Sequence, residues 1–239
     1  MNLLKANKRM CKIIEKKGEL HKAKNVLDVG CGYGEQYFYW CKNLENLQID
    51  AIDLNEVSIN QAKKDNEKRK TNINFSLGNA CKLNSENNKY DRVISLESAF
   101  HYSPRTDFLT ESYRVLKKGG KLIIADILYN DIEDVNIFNY YNCRAFEKVF
   151  NIPDSNKITI DKFKSQLRDI GFKVKLEDIT DYTFKPYYKY FFENVEYSKD
   201  MIIPTWTFNL IKKVVSFYIN DICAGTNGFK YVIAVCEKI

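Results

Sequence analysis

No stretch of this chain strings together the roughly 18 uncharged apolar residues that a membrane-spanning helix needs. The lysine-bearing residues 1–20 also lack the apolar run of a signal peptide. Neither a membrane span nor export is therefore expected. The seven cysteines, Cys11, Cys31, Cys41, Cys81, Cys143, Cys223 and Cys236, are odd in number and include no Cys-x-x-Cys pair, which argues against a disulfide framework and a zinc knuckle. They are expected as reduced, mostly buried thiols of a cytoplasmic protein, with no metal site. The net charge is +6, yet the lysines are spread over the chain rather than gathered on one face or arm, so the footprint of a nucleic-acid binder is missing. No internal repeat or low-complexity linker divides the 239 residues, and the expectation is one domain with an elaboration.

What is present is a rhythm of short apolar runs and amphipathic stretches. Leu3, Leu4, Met10, Ile13 and Ile14 stand among lysines at helical spacing, with Gly18 as a stop. Strands are expected over 25–29, 48–53, 73–77, 90–96 and 122–127. Helices are expected after the first strand, after the N-capping Asn55, and after Pro104, where Leu109, Tyr113 and Leu116 share a face and Lys118-Gly119-Gly120 is the stop. Strands alternating with helices in this way imply a mostly parallel sheet covered on both faces. From Tyr129 the rhythm changes. A helix is expected over 131–150, another capped by Thr159 and closed by Gly171, then a strand from Phe172. Residues 180–222 are dense in aromatics, and Tyr231 to Cys236 form a last strand.

The chemistry concentrates in Val26-Leu27-Asp28-Val29-Gly30-Cys31-Gly32-Tyr33-Gly34. Residues without Cβ let backbone N–H groups approach a ligand while the next helix presents its positive end. Asp53, at the tip of the second strand, is placed to accept the two hydroxyls of a ribose. A dinucleotide fingerprint is Gly-x-Gly-x-x-Gly, whereas the glycines here alternate and Asp28 precedes them. A carboxylate at that point suits a cationic cofactor and repels a pyrophosphate. A nicotinamide enzyme is the reading this disfavours.

These residues resemble the first motif of the class I S-adenosylmethionine-dependent methyltransferases, and the segment from Asp91 to Asp126 is similar to the members acting on small natural products and lipids. The resemblance implies a Rossmann-like three-layer α/β sandwich with a seven-stranded, mostly parallel sheet, its last strand antiparallel, and a helical cap. It makes the chain a single domain, with its core over about 21–128, 172–178 and 229–239 and cap segments over about 1–20, 129–170 and 179–228. S-adenosylmethionine is the implied cofactor, contacted by Asp28, Gly30, Cys31, Gly32, Gly34, Asp53, Leu54, Asn79, Ala80 and Glu97. Gly78-Asn79-Ala80 matches a Gly-Asp-Ala turn whose acid bonds the adenine amino group, and Asn79 departs from it. The Asn/Asp-Pro-Pro-Tyr motif of base-methylating enzymes is replaced by Leu96-Glu97-Ser98-Ala99.

Methyl transfer from a sulfonium needs alignment and exclusion of water more than new chemistry from the protein. A hydroxyl acceptor must still lose a proton, and His101, just past the fourth strand, is the candidate base or positioning residue. His21, before the first strand, is at the wrong end. The expected activity is methylation of a small, largely apolar acceptor, with an oxygen as first choice. Nitrogen or carbon methylation and a non-catalytic cofactor-binding module are the alternatives, and monomer and homodimer are both open.

Overall fold

A computed structural model of the chain describes residues 3–44, 47–130, 151–184 and 228–239, with Glu147, Pro186, Asn209 and Lys213 besides. Its elements are α1 (Leu3–Gly18), β1 (Asn25–Val29), α2 (Glu35–Asn43), β2 (Gln48–Asp53), α3 (Glu56–Arg69), β3 (Ile73–Leu77), β4 (Tyr90–Leu96), α4 (Arg105–Val115), β5 (Leu116–Tyr129), α5 (Ile160–Ile170), β6 (Phe172–Asp178) and β7 (Phe229–Lys238). The strands form one sheet in the order β3-β2-β1-β4-β5-β7-β6. β1 to β5 are parallel, and β7 runs antiparallel between β5 and β6. The expected seven-stranded α/β sandwich is the fold observed.

Alternate residues of each strand face opposite layers, as a two-residue side-chain period demands. Val26, Ile94 and Ile123 join one core with Ile14, Tyr37, Trp40 and Ile59 of the helices α1 to α3. Leu27, Val93 and Ile124 join the other with Phe108 and Leu109 of α4 and Phe163 and Leu167 of α5. Burial on both faces explains why these strands read as continuous apolar runs. The helices start where the sequence sets caps. Asn55 accepts the Val57 and Ser58 amides at 2.9 and 3.3 Å, and Thr159 accepts that of Lys162 at 3.4 Å.

Two expectations change. Lys118-Gly119-Gly120 does not end α4: the helix stops at Val115, and β5 begins at Leu116. The register jumps from Tyr90↔Leu116 to Arg92↔Lys121, so the glycines occupy a bulge, where Gly119 takes φ 74°. The helix over 160–170, assigned from sequence to the cap, packs on the sheet, and so does that over 3–18, for which the sequence leaves both packing on the domain edge and a lid over the cofactor open. Ile14, Phe163 and Leu167 are wholly buried there, and the Trp40 indole donates to the Cys11 carbonyl at 3.0 Å. The helix expected over 131–150 and the aromatics from 187 to 208 lie outside the described residues. Among the described residues no helix is long and apolar enough to cross a membrane, and no group of three acidic, histidine or cysteine side chains is placed to hold a metal ion.

Candidate active site

The strand order reverses between β1 and β4, and open α/β sheets bind ligands in the crevice beyond the carboxyl ends of such strands. The glycine turn leaves β1 there. Its Gly30 and Cys31 amides both donate to the Ile52 carbonyl, at 2.9 and 3.0 Å, which ties the turn to the end of β2. Gly30, at φ 77°, has Ser98 Oγ and the Tyr102 hydroxyl where a Cβ would stand. Gly32, at φ 53°, faces open space instead. Its amide donates to Asp53 Oδ2 at 2.8 Å, and Asp53 Oδ1 accepts the Asn55 amide at 2.8 Å. The Asp53 carboxylate is therefore fixed in orientation by two backbone amides, while each oxygen keeps further acceptor capacity.

Asp28 lies within the protein, with no exposed surface. One oxygen accepts the Gln36 amide at 3.2 Å; the other has no partner among the described residues. Burial pushes its pKa well up, and the Gln36 bond only partly offsets this. A buried carboxyl with an unmatched oxygen beneath a turn open at Gly32 fits a cofactor that brings positive charge. Cys31 is buried, and the same desolvation raises its thiol pKa, leaving it a small space-filling residue rather than a nucleophile.

Toward β3, Gly78 donates its amide to the Asp53 carbonyl at 3.0 Å, bringing Asn79 and Ala80 beside the β2 tip. Asn79 is exposed, and its Oδ1 accepts the Cys81 amide at 2.8 Å. Leu54 and Leu77 are 76% and 54% exposed at the same edge, an apolar margin suited to a planar ring.

The segment after β4 is built differently. Glu97 takes the left-handed φ of 54°, its amide donates to the Ala125 carbonyl at 2.8 Å, and its carboxylate accepts the Tyr231 hydroxyl at 2.6 Å. Ser98 Oγ donates to the Val29 carbonyl at 3.1 Å and accepts the Tyr102 hydroxyl at 2.8 Å. A 3-10 turn, Ala99–His101, follows. Its carbonyls are taken by two buried side chains: Arg105 Nε donates to Ala99 at 3.2 Å, and Asn156 Nδ2 donates to Phe100 and Tyr102 at 2.9 and 2.5 Å. Arg105 and Asp126 are both buried and form an ion pair at 3.6 Å. Desolvation pushes Asp126 up to about 6 despite the pull of Arg105. His101 itself is exposed, with its ring 4.1 Å from that of Phe100. Desolvation by its neighbours lowers its pKa, so the imidazole is neutral at neutral pH and able to accept a proton.

The family described as "Methyltransferase domain" matches residues 26–120, from β1 to the bulge of β5. Residues 26–120 thus carry a methyltransferase domain. Erythromycin 3''-O-methyltransferase of Saccharopolyspora erythraea is 30% identical over 200 residues, 81% of this chain and 65% of that protein. The chain thus spans just under two thirds of this relative's length. The solved structure of the [4+2]-cyclase SpnF superposes with a TM-score of 0.71 at 20% identity, covering 97% of this chain and 81% of that one. Haemonchus contortus phosphoethanolamine N-methyltransferase 2, solved with S-adenosyl-L-methionine, gives 0.75 at 18% identity over 96% of this chain and 52% of that one. At such identities these two show the fold alone.

Within the methyltransferase domain, the residues singled out from sequence lie along one sheet edge: Asp28, the glycine turn, Asp53, Leu54, Asn79 and Ala80 at β1 to β3, Glu97 and His101 after β4. His21 sits in a turn before β1, at the opposite edge. The sequence reading missed Gln36, Ser98, Tyr102, Arg105, Asp126, Asn156 and Tyr231 as supports of the site. Of these only Gln36 carried a local signal, a polar residue in the first turn of a helix whose neighbours are aromatic.

Proposed function

We propose that the methyltransferase domain binds S-adenosylmethionine across the ends of β3, β2, β1 and β4, and methylates a small, largely apolar acceptor beyond β4. When bound, the cofactor supplies a methyl group already activated on a sulfonium. Asp53 accepts the ribose hydroxyls, Asp28 offers its unmatched oxygen to the positive end, and the turn at Gly32 leaves room for both. His101 takes the proton of a hydroxyl acceptor, and Glu97, held by Tyr231, positions that acceptor. The observation that carries this reading is the placement of an exposed imidazole with lowered pKa on the same edge as the glycine turn and Asp53.

Labelled S-adenosylmethionine incubated with the protein and a metabolite extract tests it. The expected outcome is a labelled, extractable small molecule, reduced about 10²-fold or more in His101→Ala. Cofactor binding without label transfer under any acceptor pool rejects catalysis and leaves a cofactor-binding module. A second reading rests on Glu97: an exposed carboxylate fixed by a phenol favours an acceptor carrying an amine, for which His101→Ala retains turnover.

A further inference from the structure

Asn79 stands where the hydrogen-bonding sense of the site is set. A backbone N–H is a donor, so the atom of Asn79 that meets the Cys81 amide at 2.8 Å is its carbonyl oxygen. The remaining end of the side chain is then the –NH2, a pure donor. A nucleoside bound across this edge would set its base at this end for a topological reason. The strands run β3-β2-β1-β4, the ribose acid Asp53 ends β2, and the proton acceptor His101 follows β4. A cofactor that presents its reactive end toward β4 and its ribose at β2 puts its base over β3, between Leu54 and Leu77, whose exposed side chains offer flat apolar contact.

Resting on the cofactor reading above, we propose that Asn79 reads the purine as a donor and so admits a 6-oxopurine nucleoside beside the 6-aminopurine. Adenine shows a donating amine at position 6 and an accepting N1; hypoxanthine shows an accepting O6 and a donating N1–H. The Asn79 –NH2 bonds N1 of the first and O6 of the second. A carboxylate at this position would do the reverse, taking the amine of adenine and repelling O6. Asn79→Asp keeps the oxygen that accepts the Cys81 amide, so the turn survives and only the outward group changes from donor to acceptor.

The test is calorimetric binding of S-adenosyl-L-homocysteine and S-inosyl-L-homocysteine to the full chain and to Asn79→Asp. The wild type is expected to bind both within about tenfold of each other, and Asn79→Asp to shift the ratio about tenfold or more toward the adenosyl compound. Adenosyl binding with an inosyl affinity lower by about a hundredfold, and a ratio unmoved by the substitution, overturns the assignment of Asn79 alone. Failure of both compounds to bind the wild type overturns the cofactor reading and this proposal with it.

Discussion

At the β1–β2 end of the site the contacts are made by backbone amides within a short stretch of chain, whereas at the β4–β5 end they are made by side chains brought from distant elements. Gly30 and Cys31 bond Ile52, and Gly32 bonds Asp53, 21 residues on. Around His101 the supports are Asn156, 56 residues from Phe100, and Tyr231, 134 residues from Glu97. The first end is a rigid cradle for a fixed chemical group. The second is a frame assembled from distant pieces, each of which can be exchanged singly. Ser98 joins the two, bonded to Val29 on one side and Tyr102 on the other.

The sharpest way to break the comparison is to remove a support from the second end. Arg105→Ala leaves Asp126 buried without its counter-charge and is expected to cost about 3–5 kcal/mol in stability, measured by denaturant unfolding. A loss below about 1 kcal/mol would mean the turn holds itself. His101→Ala is expected to lower turnover about 10²-fold or more while S-adenosylhomocysteine affinity stays at the wild-type value. The pH profile sharpens this. Because His101 has a lowered pKa, the acid limb of turnover should be centred below the ordinary histidine value of about 6.5, where the imidazole gains its proton. An acid limb centred above the ordinary histidine value would reject His101 as the base.

Asp53→Ala probes the first end. It removes the acceptor for the Gly32 amide and for the ribose, so S-adenosylhomocysteine should bind about tenfold or more weakly by calorimetry; unchanged affinity removes the ribose assignment. The smallest effect is expected from Tyr231→Phe, which deletes one hydroxyl from beside Glu97. KM for an identified acceptor should rise by about fivefold, with S-adenosylhomocysteine affinity unaltered. Equal weakening of both would show that the two ends are not separable.

The same contrast explains what could be read from sequence. Glycine spacing, a preceding acid and an acid at the next strand tip are local patterns, and the seven-stranded fold follows from strand and helix alternation. Lys118-Gly119-Gly120 misled because two glycines end a helix and open a bulge equally well, and only pairing with β4 decides between them. Asp126 and Arg105 were legible as residues but not as a pair, since nothing in their spacing says that the start of α4 lies over the end of β5. The bond from Asn156 to the His101 turn depends on how a loop returns to the sheet, which no periodicity encodes.

The position of β7 bears on how the molecule comes into being. In the order of synthesis β6 is complete before β7, yet its pairing is with β7 alone. β5, the other neighbour of β7, waits equally with one edge unpaired. The cradle at β1 to β3 can therefore form early from a contiguous stretch of nascent chain, while the carboxylate of Glu97 receives its phenol only when Tyr231 threads between two waiting strands. Until that strand is in place, the unsatisfied edges of β5 and β6 are where the newborn chain is exposed to aggregation.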